Sequence, residues 1–255
     1  MSPTILAVIP HPDDESYSFA GTLALAARAG WRCALLCASR GERGERHDSA
    51  PADPATLGSA RHEELRRSCA ILGLEPPIMW DYPDGELAAA GDEPVARLVA
   101  LLEKLRPDVV LSLGPDGAYG HPDHLAVVRW VTEATPGREL AVLYAAFPPG
   151  LFVPQYEKCL AAGIMGDPPA VAAEDLGVLL ADYEVGIPAV RELKLAAIAA
   201  HRTQLPGGEP RALFPPGIVD ALLSVERFLD GRGVRDPVTA RLLQSLIAPV
   251  SAESA

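Results

Sequence analysis

No apolar stretch of this 255-residue chain runs to membrane-spanning length without polar interruption, so no membrane partner is expected. Basic charge is also scarce. The formal net charge is −12, and no basic stripe interleaved with aromatics is present; nucleic-acid phosphates would be repelled. The four cysteines, Cys33, Cys37, Cys69 and Cys159, show neither a CxxC spacing nor a paired framework. Cys33 and Cys37 lie in the apolar run WRCALLCA and read as buried free thiols of a protein kept in a reducing cytoplasm. The first residues lack a basic segment followed by a cleavable apolar one, so a cytoplasmic location is expected. No G-x-G-x-x-G follows the first apolar run, and no solenoid-length repeat is visible. What the chain does have is 49% hydrophobic and 22% charged residues, enough to bury a substantial core.

Short apolar runs alternate with segments of helical period. Strands are expected at 5–9, 33–38, 77–81, 108–113 and 139–147. Helices are expected from Glu15 to Gly30, over 60–72, 95–105, 125–134 and 190–204, with a polar loop at 39–59 after the second strand. This alternation, with continuously apolar strands, predicts an α/β fold: a mostly parallel sheet covered by helices. One domain is expected over 1–255, with the core and the candidate chemistry in 1–147 and a Pro-punctuated elaboration in 148–255 that shapes the pocket. Ligands of open parallel sheets bind outside the carboxyl ends of the strands. The conspicuous polar groups all fall on that edge: His11 after the first strand, GERGE after the second, Asp81 and Asp84 after the third, His121 after the fourth.

The first strand ends in HPDDES (11–16), where a histidine precedes three consecutive acids. Acids in a first helical turn are ordinary, because carboxylates favour the positive helix end. But His-Pro-Asp recurs at 121–123, in GPDGAYGHPDHLAVV, again between a strand and a helix. With 6 His and 25 Pro in 255 residues, chance gives roughly 0.04 such triplets in the chain. His11 and Asp14 are three apart across a helix start, and so are His121 and His124; each pair can face one point. Three protein ligands of His/His/Asp type plus a water describe an open catalytic metal site, and the donors suit Zn2+, with Fe2+, Co2+ and Mn2+ as alternatives.

These residues resemble the LmbE/PIG-L family of zinc-dependent N-deacetylases. The resemblance rests on PHPDDES, the SRGERGE segment, Arg61 and Glu64 in RHEEL, YGHPDH, and the late Lys194, His201 and Gln204, in family order from residue 4 to about 205. It implies a Rossmann-like, three-layer α/β fold with a mostly parallel sheet, and removal of an acetyl group from an N-acetylated sugar of N-acetylglucosamine type or a conjugate of one. It implies His11, Asp14 and His124 as zinc ligands and Asp13 as the base that takes a proton from metal-bound water. His121 is implied to stabilise the tetrahedral intermediate and protonate the amine, Tyr119 to lie beside the oxyanion, and Arg61 to bind substrate. Amide hydrolysis needs such a set: a metal to activate water and polarise the carbonyl, a carboxylate to accept a proton, a histidine to serve the leaving amine.

Other residues read less sharply. Glu42, in the alternating Arg/Glu loop, is either solvated or in contact with substrate, and His201 either packs or lines the pocket; the family match favours pocket for His201. Asp123 is expected behind the ligands, accepting from His121 or orienting a ligand. Asp84 in Pro-Asp-Gly reads as turn chemistry, and His47-Asp48 lacks the partners of a phosphohydrolase dyad. Two other functions fit the pattern less well: an amidase for a larger acyl or thiol-conjugate substrate, and a non-catalytic Rossmann-like binding protein. A small-molecule substrate is expected, and the sequence leaves open whether the chain forms a homo-oligomer.

Overall fold

The computed structural model describes residues 2–48, 50, 53–233 and 236–247. The chain runs β1 (Thr4–Ile9), α1 (Asp14–Ser18), α2 (Ala20–Arg28), β2 (Arg32–Cys37), α3 (Pro54–Leu72), β3 (Ile78–Met79), α4 (Glu93–Leu105) and β4 (Val109–Ser112). Then come a single turn α5 (Gly117–Gly120), α6 (Pro122–Ala134), β5 (Ala141–Ala145), α7 (Val153–Ala161), β6 (Tyr183–Gly186), α8 (Arg191–Ala200), a short α9 (Ile218–Ala221), β7 (Val225–Asp230) and α10 (Pro237–Ile247). The seven strands form one sheet in the order β3-β2-β1-β4-β5-β7-β6. The first five are parallel, while β7 runs antiparallel to both β5 and β6. This is the expected α/β fold with a mostly parallel sheet.

Alternation along β1 explains the layers, because successive strand residues point to opposite faces. Ile5, Ala7 and Ile9 join Leu23, Leu65, Cys69 and Ile198 in one core. Leu6 and Val8 join Leu98, Leu102, Trp80 and Trp130 in the other. The centre of the sheet is therefore buried on both sides, which is why β1, β2, β4 and β5 read as continuous apolar runs. All four cysteines are buried and free, and burial pushes the Cys33 thiol up to about 12.

Several elements differ from the expectation. The third helix begins at Pro54, inside the expected loop, because the Asp53 side chain accepts a hydrogen bond from Thr56 N (2.9 Å) and proline suits the first helical position. Residues 49, 51 and 52 of the 41–58 loop, and 234–235 and 248–255 of the C-terminal part, lie outside the described residues. The first expected helix breaks at Phe19, whose φ is −151°. The 190–204 helix ends at Ala200 and continues as a tighter turn from Arg202. The sequence reading missed β6 and β7 altogether; β7 alternates buried and half-exposed residues, which hides it from a search for apolar runs.

The C-terminal strands also bind the N-terminal half. Glu226 on β7 is buried and accepts from Gly21 N (2.8 Å) and Thr22 N (2.7 Å) in the first turn of α2, the favourable end of the helix dipole. Lys194 Nζ, wholly buried, donates to the same carboxylate (2.7 Å) and to Tyr17 O (2.8 Å). Glu226→Ala leaves that ammonium without its counter-charge and should cost about 3–5 kcal/mol, read from the shift of the urea unfolding midpoint. A loss under about 1 kcal/mol would mean that the pair does not hold the two halves together.

Candidate metal centre

Sheet order decides where the two His-Pro-Asp segments meet. From β1 the chain goes outward to β2 and β3, then returns to place β4 on the other side of β1. The reversal opens a crevice between the carboxyl ends of β1 and β4, the usual ligand position in such sheets. His11 leaves β1 at that crevice, and the 117–124 segment leaves β4 there.

Four side chains converge. His11 Nδ1 lies 3.6 Å from Asp14 Oδ2, and His124 Nε2 lies 3.4 Å from Asp14 Oδ1. The His11, His121 and His124 rings are mutually 4.7 to 5.4 Å apart. His124 Nδ1 donates to Gly117 O (3.0 Å), so its Nε2 is the bare nitrogen. That atom is fully buried and makes no hydrogen bond, an expensive arrangement unless a cation takes its lone pair. Burial, with His11 nearby, lowers the His124 pKa to about 3, so the ring is neutral as a ligand must be. His11, Asp14 and His124 can therefore hold a metal ion.

A second grouping, His11, His121 and Asp123, is also close enough. Its donors are already engaged: Asp123 accepts from Gly85 N (2.7 Å) and Leu87 N (3.0 Å), and His121 Nδ1 accepts from Asp123 N (3.2 Å). The first set, by contrast, contains a buried imidazole nitrogen with no hydrogen bond, His124 Nε2, and is favoured for that reason. Asp123 does not accept from the His121 ring; its Oδ2 lies 3.1 Å from His11 Nε2.

Asp84 is the residue that the sequence reading missed. Its Oδ1 also lies 3.1 Å from His11 Nε2, while its Oδ2 accepts from Arg43 N (2.8 Å). Burial opposes charge on Asp84, yet the hydrogen bond and charge of His11, with Arg61 and the Arg43 amide, together outweigh it and hold the carboxyl well below the usual range. Two carboxylates on Nε2 keep the proton there and turn Nδ1 toward Asp14, as is usual for metal-binding imidazoles. Proline-Asp-Gly is such good turn chemistry that it masked this second use.

The three acids of HPDDES are sent in different directions. Asp14 takes Tyr17 OH (2.7 Å) and His11 N (2.8 Å) on its two oxygens. Asp13 lines the cleft, its Oδ2 3.2 Å from Arg61 Nη2; burial pushes its carboxyl up to about 6, opposed by Arg61 and reinforced by Asp14. Glu15 turns inward, away from the cleft, onto Ser68 and His201.

Two substrate assignments change, and a third residue gains a structural role. His201 is wholly buried behind Glu15, with Nε2 2.7 Å from its Oε1, and forms no part of the cleft wall. Glu42 likewise stays off the wall and accepts from Asp84 N (3.0 Å), fastening its loop to the 82–86 turn. Arg61 does line the cleft, but its guanidinium also donates to Pro12 O (2.6 Å) and Gly41 O (2.8 Å), so it braces Asp13. Tyr119 borders the cleft with its ring 4.9 Å from that of His124, after Ala118 at φ 64°. The cleft holds about 850 Å³ and runs from the histidines past α7 to Pro206, Leu213 and Phe214.

Fold and site together define an α/β protein with a candidate divalent-cation centre at the switch point of its sheet. The family model described as PIG-L: GlcNAc-PI de-N-acetylase matches residues 6–135, and the chain belongs to that family. A 1D-myo-inositol 2-acetamido-2-deoxy-alpha-D-glucopyranoside deacetylase of Nakamurella multipartita is 34% identical over 254 residues, spanning 80% of this chain and 81% of the relative. Among solved structures, the N,N'-diacetylchitobiose deacetylase of Pyrococcus horikoshii aligns with a TM-score of 0.60 at 23% identity, over 91% of this chain and 85% of that one. A 4-carboxy-2-hydroxymuconate hydratase of Pseudomonas putida shares the fold too, with a TM-score of 0.57 at 23% identity over 89% of this chain and 95% of the other.

Because Asp84 orients His11 without touching the ligand side, Asp84→Asn should weaken metal affinity about tenfold to a hundredfold in a chelator competition. Unchanged affinity would remove Asp84 from that role.

Proposed function

We propose that this chain hydrolyses the acetamido group of an N-acetylated sugar conjugate. The observation that carries the reading is the fully buried His124 Nε2, without a hydrogen bond, beside His11 and Asp14 and behind a cleft lined by His11, Asp13 and His121. Membership of the de-N-acetylase family and the sugar deacetylase relatives support it. A cleft of about 850 Å³ leaves room for a group attached to the sugar.

His11, Asp14 and His124 would hold a divalent cation, and two imidazoles with one carboxylate and an open position favour zinc, with Fe2+, Co2+ and Mn2+ able to use the same donors. When bound, it supplies Lewis acidity toward water and the acetyl carbonyl. Asp13, half enclosed and steadied by Arg61, accepts a proton from the attacking water. His121 is neutral, its pKa lowered to about 2 by burial and by His124 and His11. Because its Nδ1 accepts from Asp123 N, the ring proton is on Nε2, which can hydrogen-bond to the developing tetrahedral oxygen. A neutral ring serves that oxygen directly. It protonates the amine only after itself taking up a proton, and the one Asp13 removes from water balances the reaction. The C–O bond forms, the C–N bond breaks, and acetate and an amine leave. Tyr119 lines the same cleft, its ring 6.1 Å from that of His121, which fits a place beside that oxygen.

Three substitutions separate these roles. Asp13→Ala should retain metal and lose about 10² to 10⁴ in rate, His124→Ala should lose metal, and His121→Ala should keep metal with about a 100-fold or greater loss. Metal analysis beside initial rates distinguishes them, and full metal occupancy in His124→Ala would refute the ligand set. The reaction itself is tested by acetate release from a panel of N-acetylglucosaminides, with chelator and metal add-back. Chelator-sensitive release supports a deacetylase; no release from metal-loaded protein across the panel counts against acetyl as the group removed.

A further inference from the structure

We infer that His201 and Glu15 form a buried positioning pair for Asp13, holding the backbone of the base in the conformation that aims its carboxylate into the cleft. The inference rests on the reading of Asp13 as the base.

Asp13 has φ 126° and ψ −25°, in a region where side-chain-bearing residues are strained. Such a residue costs about 1–3 kcal/mol and persists only where its surroundings over-determine it. Ser16 N (2.9 Å) and Ser16 Oγ (2.7 Å) donate to Asp13 O, but both belong to the same short turn and move with it. The Asp13 N–H donates to Glu15 Oε2 (3.1 Å), and Glu15 is anchored from elsewhere in the fold. Its Oε1 receives Ser68 Oγ from α3 (2.5 Å) and faces His201 Nε2 after α8 (2.7 Å). Glu15, Ser68 and His201 are all wholly buried. A carboxylate there needs a cationic or strongly donating partner, and His201 is that partner.

His201 has no other polar contact to explain it. Its Nδ1 makes no hydrogen bond among the described residues, so the side chain's polar chemistry is directed at Glu15 alone. The line from His201 through Glu15 to Asp13 N therefore ties the base to a residue 188 positions later, outside the 6–135 stretch that the family model matches.

The test uses the full metal-loaded chain, with acetate release from whichever N-acetylglucosaminide the panel identifies. His201→Ala should lower kcat about 10- to 100-fold, as expected for a misplaced catalytic group, with KM and metal content unchanged. His201→Gln places an amide N–H where Nε2 stood, gives up nothing at Nδ1, and should recover most of the loss. If His201→Ala fails to fold, Ser68→Ala removes the other donor to Glu15 without changing charge and should lower kcat several-fold at constant KM. A loss that merely tracks the folded or metal-loaded fraction overturns the pair as a positioning device, as does a change in KM alone or a glutamine variant no better than alanine. An Asp13→Ala variant with wild-type kcat would instead overturn the reading of Asp13 as base, a distinguishable result.

Discussion

Three adjacent carboxylates cannot lie side by side in a buried crevice unless each finds its own compensation. The structure answers this at Asp13, Asp14 and Glu15 by dividing them among three directions: the cleft and Arg61, the histidine cluster and Tyr17, and the interior with His201 and Ser68. Divergence on this scale over three residues needs an abrupt backbone change, and the positive φ of Asp13 supplies it. The break between α1 and α2 follows within two turns. Much of the molecule serves this separation: α3 brings Arg61 and Ser68, α8 leads to His201, and the loop after β2 receives Arg61 at Gly41.

The fold by itself would not have identified the chemistry. The same sheet occurs in a hydratase and in deacetylases, so function has to be argued from side chains at the sheet edge. The particulars are a neutral imidazole with a bare nitrogen, a second imidazole held by two carboxylates, and an acid raised toward neutrality next to them. Deacetylation asks for that combination of donors, base and hydrogen-bond donor.

The sequence made β1, β2, β4 and β5 legible because burial on both faces leaves them almost unbroken by polar residues. It made the two His-Pro-Asp segments legible because their repetition is improbable. It could not reveal that β1 and β4 are neighbours, since strand order depends on packing across the sheet. That one fact brings His11 and His124 together. Antiparallel β6 and β7 were missed because one alternates in burial and the other is short and lies at the edge. Glu42 and His201 were misplaced, and the second use of Asp84 beside its turn was missed, for a common reason. A polar residue near a motif can face the cleft or stand behind it, and no spacing along the chain reports which.

Glu226 closes onto Gly21 and Thr22 across more than two hundred residues. Contacts so distant along the chain form late and carry a large loop-closure entropy. As the chain emerges from a ribosome, the first two helices and their acids must wait with an unfinished partner set until β7 has been made, some two hundred residues later. The catalytic edge is thus assembled from segments made early and late, and a chain interrupted before β7 would carry every motif residue without the carboxylate that fixes α2 and Lys194 in place.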